Sequence, residues 1–237
     1  MTSRRLGKRT LCFLVLIAIG VAFDKGVWSI PREWNPFETL RIQDPITPVT
    51  QWKLSRLKSD RQGCLAVLDT LPDKALDYQA LADYVAAPSC PLSNVVRLNE
   101  SGVQFNRSFV ATCPLALGWL MFEYHALQPT ARHLLGSSVS GVEHYGSFAC
   151  RNIYGRKNAR RSAHASAEAL DVAAFTLADG QKVSVLDDWQ DEGNKGQFLR
   201  EIHRGACRSF ATVLGPEYNA AHANHFHLAM GGFSLCR

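Results

Sequence analysis

Apolar and polar positions alternate with different periods along the chain, and the periods predict the elements. An uncharged apolar run occupies residues 11–23, with Arg4, Arg5, Lys8 and Arg9 before it and Asp24 and Lys25 after it. Residues 24–62 have no clear period and contain Pro31, Trp34, Pro36, Pro45, Pro48 and Trp52, which predicts an irregular linker. Residues 64–71 and 76–86 have helix-like apolar spacing. Residues 95–98 and 103–105 predict strands around the glycine-containing loop Asn99-Glu-Ser-Gly102. Residues 114–127 carry the strongest helical signal, since Leu117, Leu120, Met121, Tyr124 and Leu127 recur at helical spacing and Pro114 suits a first turn. Pro129 interrupts it, and a short helix is expected up to Gly136.

The C-terminal half reads differently. Residues 142–151 predict a strand, and residues 152–163 a basic loop. Residues 170–177 and 182–186 predict paired strands about the turn dipeptide Asp179-Gly180. Phe198, Ile202, Ala206, Phe210 and Val213 mark an amphipathic helix, stopped by Gly215-Pro216. Residues 225–230 predict the last strand, ended by Gly231-Gly232. Strands and helices mix without regular βαβ alternation, so the expected class is α+β: a small antiparallel sheet packed by helices.

At 237 residues, 46% apolar and 20% charged, the chain can bury a core and is not disordered by composition. A basic flank followed by an apolar run is the pattern of an export signal or signal anchor, expected at residues 1–24. A linker at 25–62 and a domain at 63–237 would follow. The run has no clean small-residue cleavage site, which favours a retained anchor in the inner membrane with the domain on the periplasmic side. The net charge of +5 is concentrated in that flank and in Arg151, Arg156, Lys157, Arg160 and Arg161. The second cluster reads as a solvated charge run or as a holder of an acidic polymer or substrate carboxylate. No recognition helix, zinc finger or aromatic RNA-binding pattern accompanies it, so nucleic acid is not the expected partner.

Of the seven cysteines, Cys12 lies in the apolar run. The others are Cys64, Cys90, Cys113, Cys150, Cys207 and Cys236, an even number, which in an exported chain implies disulfides. Sequence cannot choose among their pairings. Joining neighbours gives the simplest expectation: Cys64–Cys90, Cys113–Cys150 and Cys207–Cys236.

One split constellation carries chemistry: Ser162-Ala-His164-Ala-Ser-Ala-Glu-Ala-Leu-Asp171, answered by His225-Phe-His227. Zinc takes imidazole nitrogen and carboxylate oxygen, and a catalytic site keeps one position open. In a strand, His225 and His227 face one way while Phe226 and Leu228 face the core. His164 and Asp171 would lie about 23 Å apart on one extended strand, so they share a metal only if the chain turns between them. Residues 164–168, with three small side chains, can supply that turn.

The pattern Ser162-x-His164-x-x-Ala167-x-Ala169-x-Asp171 with His225-x-His227 resembles the LAS metallopeptidases, which include D-Ala-D-Ala carboxypeptidases and peptidoglycan endopeptidases. Those usually have glycine where this chain has Ala167. Trp34-Asn-Pro-Phe37, Gly146-Ser-Phe-Ala-Cys-Arg151, Gly205-Ala-Cys-Arg208 and the stretch from Leu214 to His227 resemble the bacterial extensin-like C-terminal domain family. The resemblance implies that His164, Asp171 and His227 hold Zn2+, that His225 is the general base, and that Arg151 polarises the scissile carbonyl or steadies the oxyanion. It implies a cell-envelope peptidase acting on peptidoglycan or its peptides. The other readings are a non-catalytic wall-binding or structural domain held by zinc and disulfides, and an adaptor held by disulfides alone. Ser162 and His222 are expected as supports around the ligands, His222 equally as a solvated loop residue. Asn224 stands where an acid is expected before His-x-His.

Overall fold

The computed structural model describes residues 10, 13, 14, 29–72, 75–231 and 234–237. The expected anchor lies outside the described residues, apart from Thr10, Phe13 and Leu14. Among the described residues no helix is long and apolar enough to cross a membrane. A 3-10 turn at Arg32–Trp34 leads to helices α1 (Pro48–Leu57) and α2 (Arg61–Leu68). Strands β1 (Asp77–Ala80), β2 (Tyr84–Ala87), β3 (Cys90–Leu92), β4 (Val95–Glu100) and β5 (Gln104–Thr112) follow. Next come helix α3 (Cys113–Phe122), a π turn at Glu123–Leu127, helix α4 (Gln128–Leu135) and strand β6 (Val139–Gly146). Turns at Ile153–Gly155 and Ala163–Ser166 precede β7 (Ala169–Leu177) and β8 (Lys182–Ser184). The chain ends through α5 (Val185–Asp188), α6 (Asn194–Ser209), β9 (Thr212–Leu214), a turn at Ala220–His222, β10 (Phe226–Ala229) and β11 (Leu235–Cys236).

The class is α+β, with a mixed sheet rather than the small antiparallel one expected. Among the described residues it has nine strands in the order β1-β4-β5-β6-β7-β10-β9-β11, with β8 also on β7. β7 lies centrally: β6 covers one edge, and β10 and β8 share the other. β5 and β6 run parallel because the whole helical segment from Cys113 to Leu135 lies between them. A parallel pair needs such a crossover, whereas a tight turn gives an antiparallel one.

That segment is the core of the molecule. All ten residues of α3 are buried, as expected of a helix that is apolar on every side. Pro129 cannot donate to the carbonyl four residues back and its ring crowds it. The wider π turn just before α4 accommodates this. α6 is amphipathic and buries Phe198, Leu199, Ile202 and Ala206. It crosses the segment where Gly205 faces Ala126, and a Cβ on Gly205 would come within 2.5 Å of the Ala126 Cβ. The helix stops at Ser209, earlier than the expected Gly215-Pro216. Phe210 and Val213 stay buried after the helix has ended, so their spacing continues its pattern into β9.

Three further expectations are corrected. Residues 76–86 form β1 and β2 rather than helix; their burial is sparse, so the apolar positions fit either period. The stretch expected as a mostly irregular linker, residues 25–62 (described from 29), is not merely a spacer, because Leu40, Ile42 and Leu54 enter the main core. α1 begins at Pro48, with the Thr47 N–H donating to Thr50 Oγ1 at 3.0 Å. Arg32 pairs with Glu38 and Asp44 and ties the preceding turn down. The disulfides are Cys64–Cys113, Cys90–Cys150 and Cys207–Cys236. Only the last joins cysteines adjacent in sequence. α2 packs on α3, which brings Cys64 to Cys113, and the β2–β3 hairpin lies over residues 148–150.

Candidate metal centre

β7 and β10 set the site. They pair antiparallel with His227 directly opposite Asp171. Phe226 and Leu228 are buried on the core face, where Phe226 packs against Trp189 and His203. Strict alternation therefore turns His227 to the other face, beside Asp171. His164 arrives from the Ala163–Ser166 turn. Ser162 starts that turn, its hydroxyl accepting from the His164 N–H at 3.3 Å. Ala167 ends it in the left-handed conformation, φ 54°, which brings the chain straight into β7.

The three side chains converge. His164 Nε2 lies 3.2 Å from Asp171 Oδ1 and 3.1 Å from Oδ2. His227 Nδ1 lies 2.9 Å from Asp171 Oδ1 and 3.1 Å from His164 Nε2. Ligands at about 2.0–2.2 Å around a tetrahedral zinc would sit about 3.3 Å apart, so the donor set fits that ion. His164 Nδ1 is 3.1 Å from the Ser147 carbonyl. A carbonyl only accepts, so Nδ1 carries the proton and Nε2 presents its lone pair to the other two donors. Burial alone would raise the Asp171 carboxyl, but the adjoining imidazoles of His164 and His227 outweigh it and hold it below the usual carboxylate range. A second group, His203, Cys207 and Cys236, is excluded as a thiolate site because its cysteines are bonded to each other.

His225 stands beside the triad, its Nε2 3.6 Å from Asp171 Oδ1. Its Nδ1 faces Asn224 Oδ1 at 2.9 Å. The amide oxygen accepts there, leaving Nε2 as a base. Burial lowers the His225 pKa, against the pull of Asp171. Tyr145 caps its ring edge-on at 5.7 Å between centroids. His222 is buried too, its ring 5.2 Å from that of His225 and 5.8 Å from that of His227. Its Nδ1 is 2.8 Å from Asn219 Oδ1, and burial and the neighbouring histidines push its pKa down to about 4. The solvated-loop reading of His222 is therefore corrected.

These groups open into a cavity of about 570 Å3. Arg151, Arg160, Arg161, Tyr154 and Tyr218 line it with the histidines and Asp171. Arg151 is not on a strand: β6 ends at Gly146, φ 127°, and the arginine sits in the loop beyond.

The family described as extensin-like protein C-terminus matches residues 62–237, most of the chain. The chain belongs to this family. No curated protein and no solved structure matches it. In this extensin-like domain the match begins after α1, although residues 40–54 already contribute to the core.

Some of the extensin-like site carries no sequence signal. The Ser147 carbonyl acts through its backbone, so residue type does not mark it. Asn219 accepts from His222 and also donates to the Tyr154 hydroxyl at 2.8 Å. Its signal is local only: an Asn three residues before a His at the start of a short helical turn. Tyr145 is recognisable once residues 139–146 are a strand, because it sits beside the register pair Gly146↔Asp171.

Proposed function

We propose that this domain is a zinc-dependent peptidase of the cell envelope, akin in its site to the LAS metallopeptidases and acting on peptidoglycan peptides. The observation that carries the reading is the compact His164–Asp171–His227 triangle with His225 Nε2 held next to it. A bound zinc would supply positive charge that acidifies water and makes a carbonyl electrophilic. His225 Nε2 takes the proton from the attacking water as the water oxygen bonds to the carbonyl carbon. When the carbon–nitrogen bond breaks, the same proton passes to the departing nitrogen. Asn224 holds the His225 ring so that Nε2 faces the site. Arg151, in the cavity wall, offers fixed positive charge to the carbonyl oxygen as it becomes negative. His164, Asp171 and His227 would hold the metal.

The three disulfides support an oxidising compartment, which agrees with an exported domain on the periplasmic side of the inner membrane. One observation favours a second reading, a zinc-holding wall-binding domain without turnover: Asn224 accepts a hydrogen bond from His225 but brings no charge to stabilise its protonated form. Digestion of purified muropeptides followed by mass spectrometry decides between them. Peptide products from the zinc-loaded protein, absent with His225→Ala, are expected. Stoichiometric zinc with every muropeptide intact would leave only the binding reading.

A further inference from the structure

The cavity holds more positive charge than the metal triangle uses. Arg151, Arg160 and Arg161 line it, with two acids, Asp171 and Glu168. Both acids are engaged. Asp171 faces His164 and His227, and Glu168 pairs with Lys58 and accepts from the Ser166 hydroxyl at 3.1 Å. Among the described residues, none of the ion pairs or side-chain hydrogen bonds takes up the guanidinium of Arg151 or of Arg161.

The loop that carries Arg161 is built rather than loose. Asn152 pairs with Arg161 in an isolated antiparallel bridge. The Asn152 Nδ2 donates to the carbonyls of Arg156 and Lys157, each at 3.0 Å, and the Ile153 N–H donates to the Arg160 carbonyl at 2.9 Å. The Tyr154 hydroxyl accepts from Asn219 Nδ2 at 2.8 Å. This folding divides the basic cluster. Arg156 lies over the Tyr154 ring, and neither it nor Lys157 lines the cavity, whereas Arg160 and Arg161 do. Arg161 directly precedes Ser162, whose hydroxyl caps the turn that carries His164. Its backbone therefore leads straight into the turn that carries His164, and its side chain lines the cavity beside it.

A planar guanidinium with no carboxylate of its own, in a wall that also offers Ile153, Tyr154 and Tyr218, matches a carboxylate on a partly apolar ligand. We propose that Arg161 is the specificity residue of this cavity and anchors a carboxylate of the peptide substrate close to the reacting bond. The peptide identity of the ligand rests on the peptidase reading; the preference for an anion rests on the cavity alone. The carboxylate has two possible sources, the chain terminus or an acidic side chain.

The test uses the zinc-loaded full chain and three probes: acetyl-tetraalanine with a free C-terminal carboxylate, its carboxamide, and a carboxamide with one internal alanine replaced by glutamate. Binding is followed by calorimetry at low and high salt. One or both anionic probes bind at least tenfold more tightly than the neutral one, and salt reduces the difference. Whichever probe gains identifies the source. Arg161→Gln abolishes the preference with zinc content unchanged, and Arg161→Lys restores part of it. Equal binding of all three probes, no binding of any, or a preference that survives Arg161→Gln overturns the proposal. A preference with every muropeptide left intact would sink the peptidase reading and leave the anion site standing. Cleavage of the neutral probe as fast as the anionic ones would do the reverse.

Discussion

Removing the Cys90–Cys150 disulfide as a Cys90→Ala/Cys150→Ala pair tests whether the outer scaffold sets the metal site. The bond closes a span of 60 residues, and Cys207–Cys236 closes one of 29. Loop-closure entropy puts their losses close together, about 4 kcal/mol for the first and about 3.5 kcal/mol for the second. Their effects on the site should differ. Cys150 follows Ser147, whose carbonyl fixes the His164 tautomer, by three positions. Leu92 of β3, Val95 and Ala167 form a small buried cluster with Phe148 packed against it. Cys90 thus clamps β3 onto the segment that orients His164. Losing such an outer support typically weakens metal binding about 10- to 100-fold. Cys207–Cys236 joins the end of α6 to the outermost strand and touches none of these contacts. Urea unfolding gives both stabilities, and zinc competition with a chromophoric chelator gives both affinities. Comparable stability losses are expected, but weaker zinc binding only for the Cys90/Cys150 pair. Unchanged zinc affinity in that pair would refute the clamp.

Three other substitutions probe separate links. Ala167→Val places a branched side chain at φ 54° in a fully buried position and should cost at least about 2 kcal/mol by thermal or urea unfolding. Ala167→Gly should be nearly neutral: relief of the left-handed strain, about 1–2 kcal/mol, is offset by the lost methyl at about 0.8 kcal/mol and the added chain freedom at about 0.5–1 kcal/mol. Asn224→Leu removes the acceptor that orients His225; kcat on a verified peptide should fall about 10- to 100-fold with zinc content unchanged, while Asn224→Asp keeps the hydrogen bond and should retain turnover. Burial raises the Glu123 carboxyl above its usual range despite the hydrogen bond from Ser101. Since its folded value exceeds the unfolded one, stability is highest below the unfolded value and falls as pH rises through the folded one. Glu123→Gln should therefore raise Tm at pH 7.5 and leave it nearly unchanged at pH 4, as differential scanning calorimetry can show.

The parts of this fold legible in the sequence are those whose residue pattern has one structural solution. α3 is apolar on all sides and can only be a core helix. His225-Phe-His227 alternates about a core-facing phenylalanine, so the strand and the direction of His227 follow, whereas His225 precedes β10 and is oriented by Asn224. The turn between His164 and Asp171 follows from their distance on an extended chain. The corrected parts depend on contacts distant in sequence. Cys64 finds Cys113 because α2 packs on α3, and nothing local marks that pairing. β1 and β2 bury too few side chains for their period to show. Leu40, Ile42 and Leu54 are spread through a proline-rich stretch, so their common burial is invisible until the chain folds back. Arg151 leaves its strand because Gly146 takes a positive φ, a choice open to any glycine. At the candidate site, the residues that converge, His164, Asp171 and His227, were legible by type and spacing. The carbonyl of Ser147 and the Tyr154–Asn219–His222 chain were not, because backbone groups and common polar residues carry them.

Zinc per chain, measured by elemental mass spectrometry after extensive dialysis, tests the metal centre most directly. Wild type and His225→Ala should each retain one equivalent, because His225 stands beside the triangle and not in it, while His227→Ala and Asp171→Ala should retain none. A wild type without zinc, or a His227→Ala variant that keeps a full equivalent, would contradict the account.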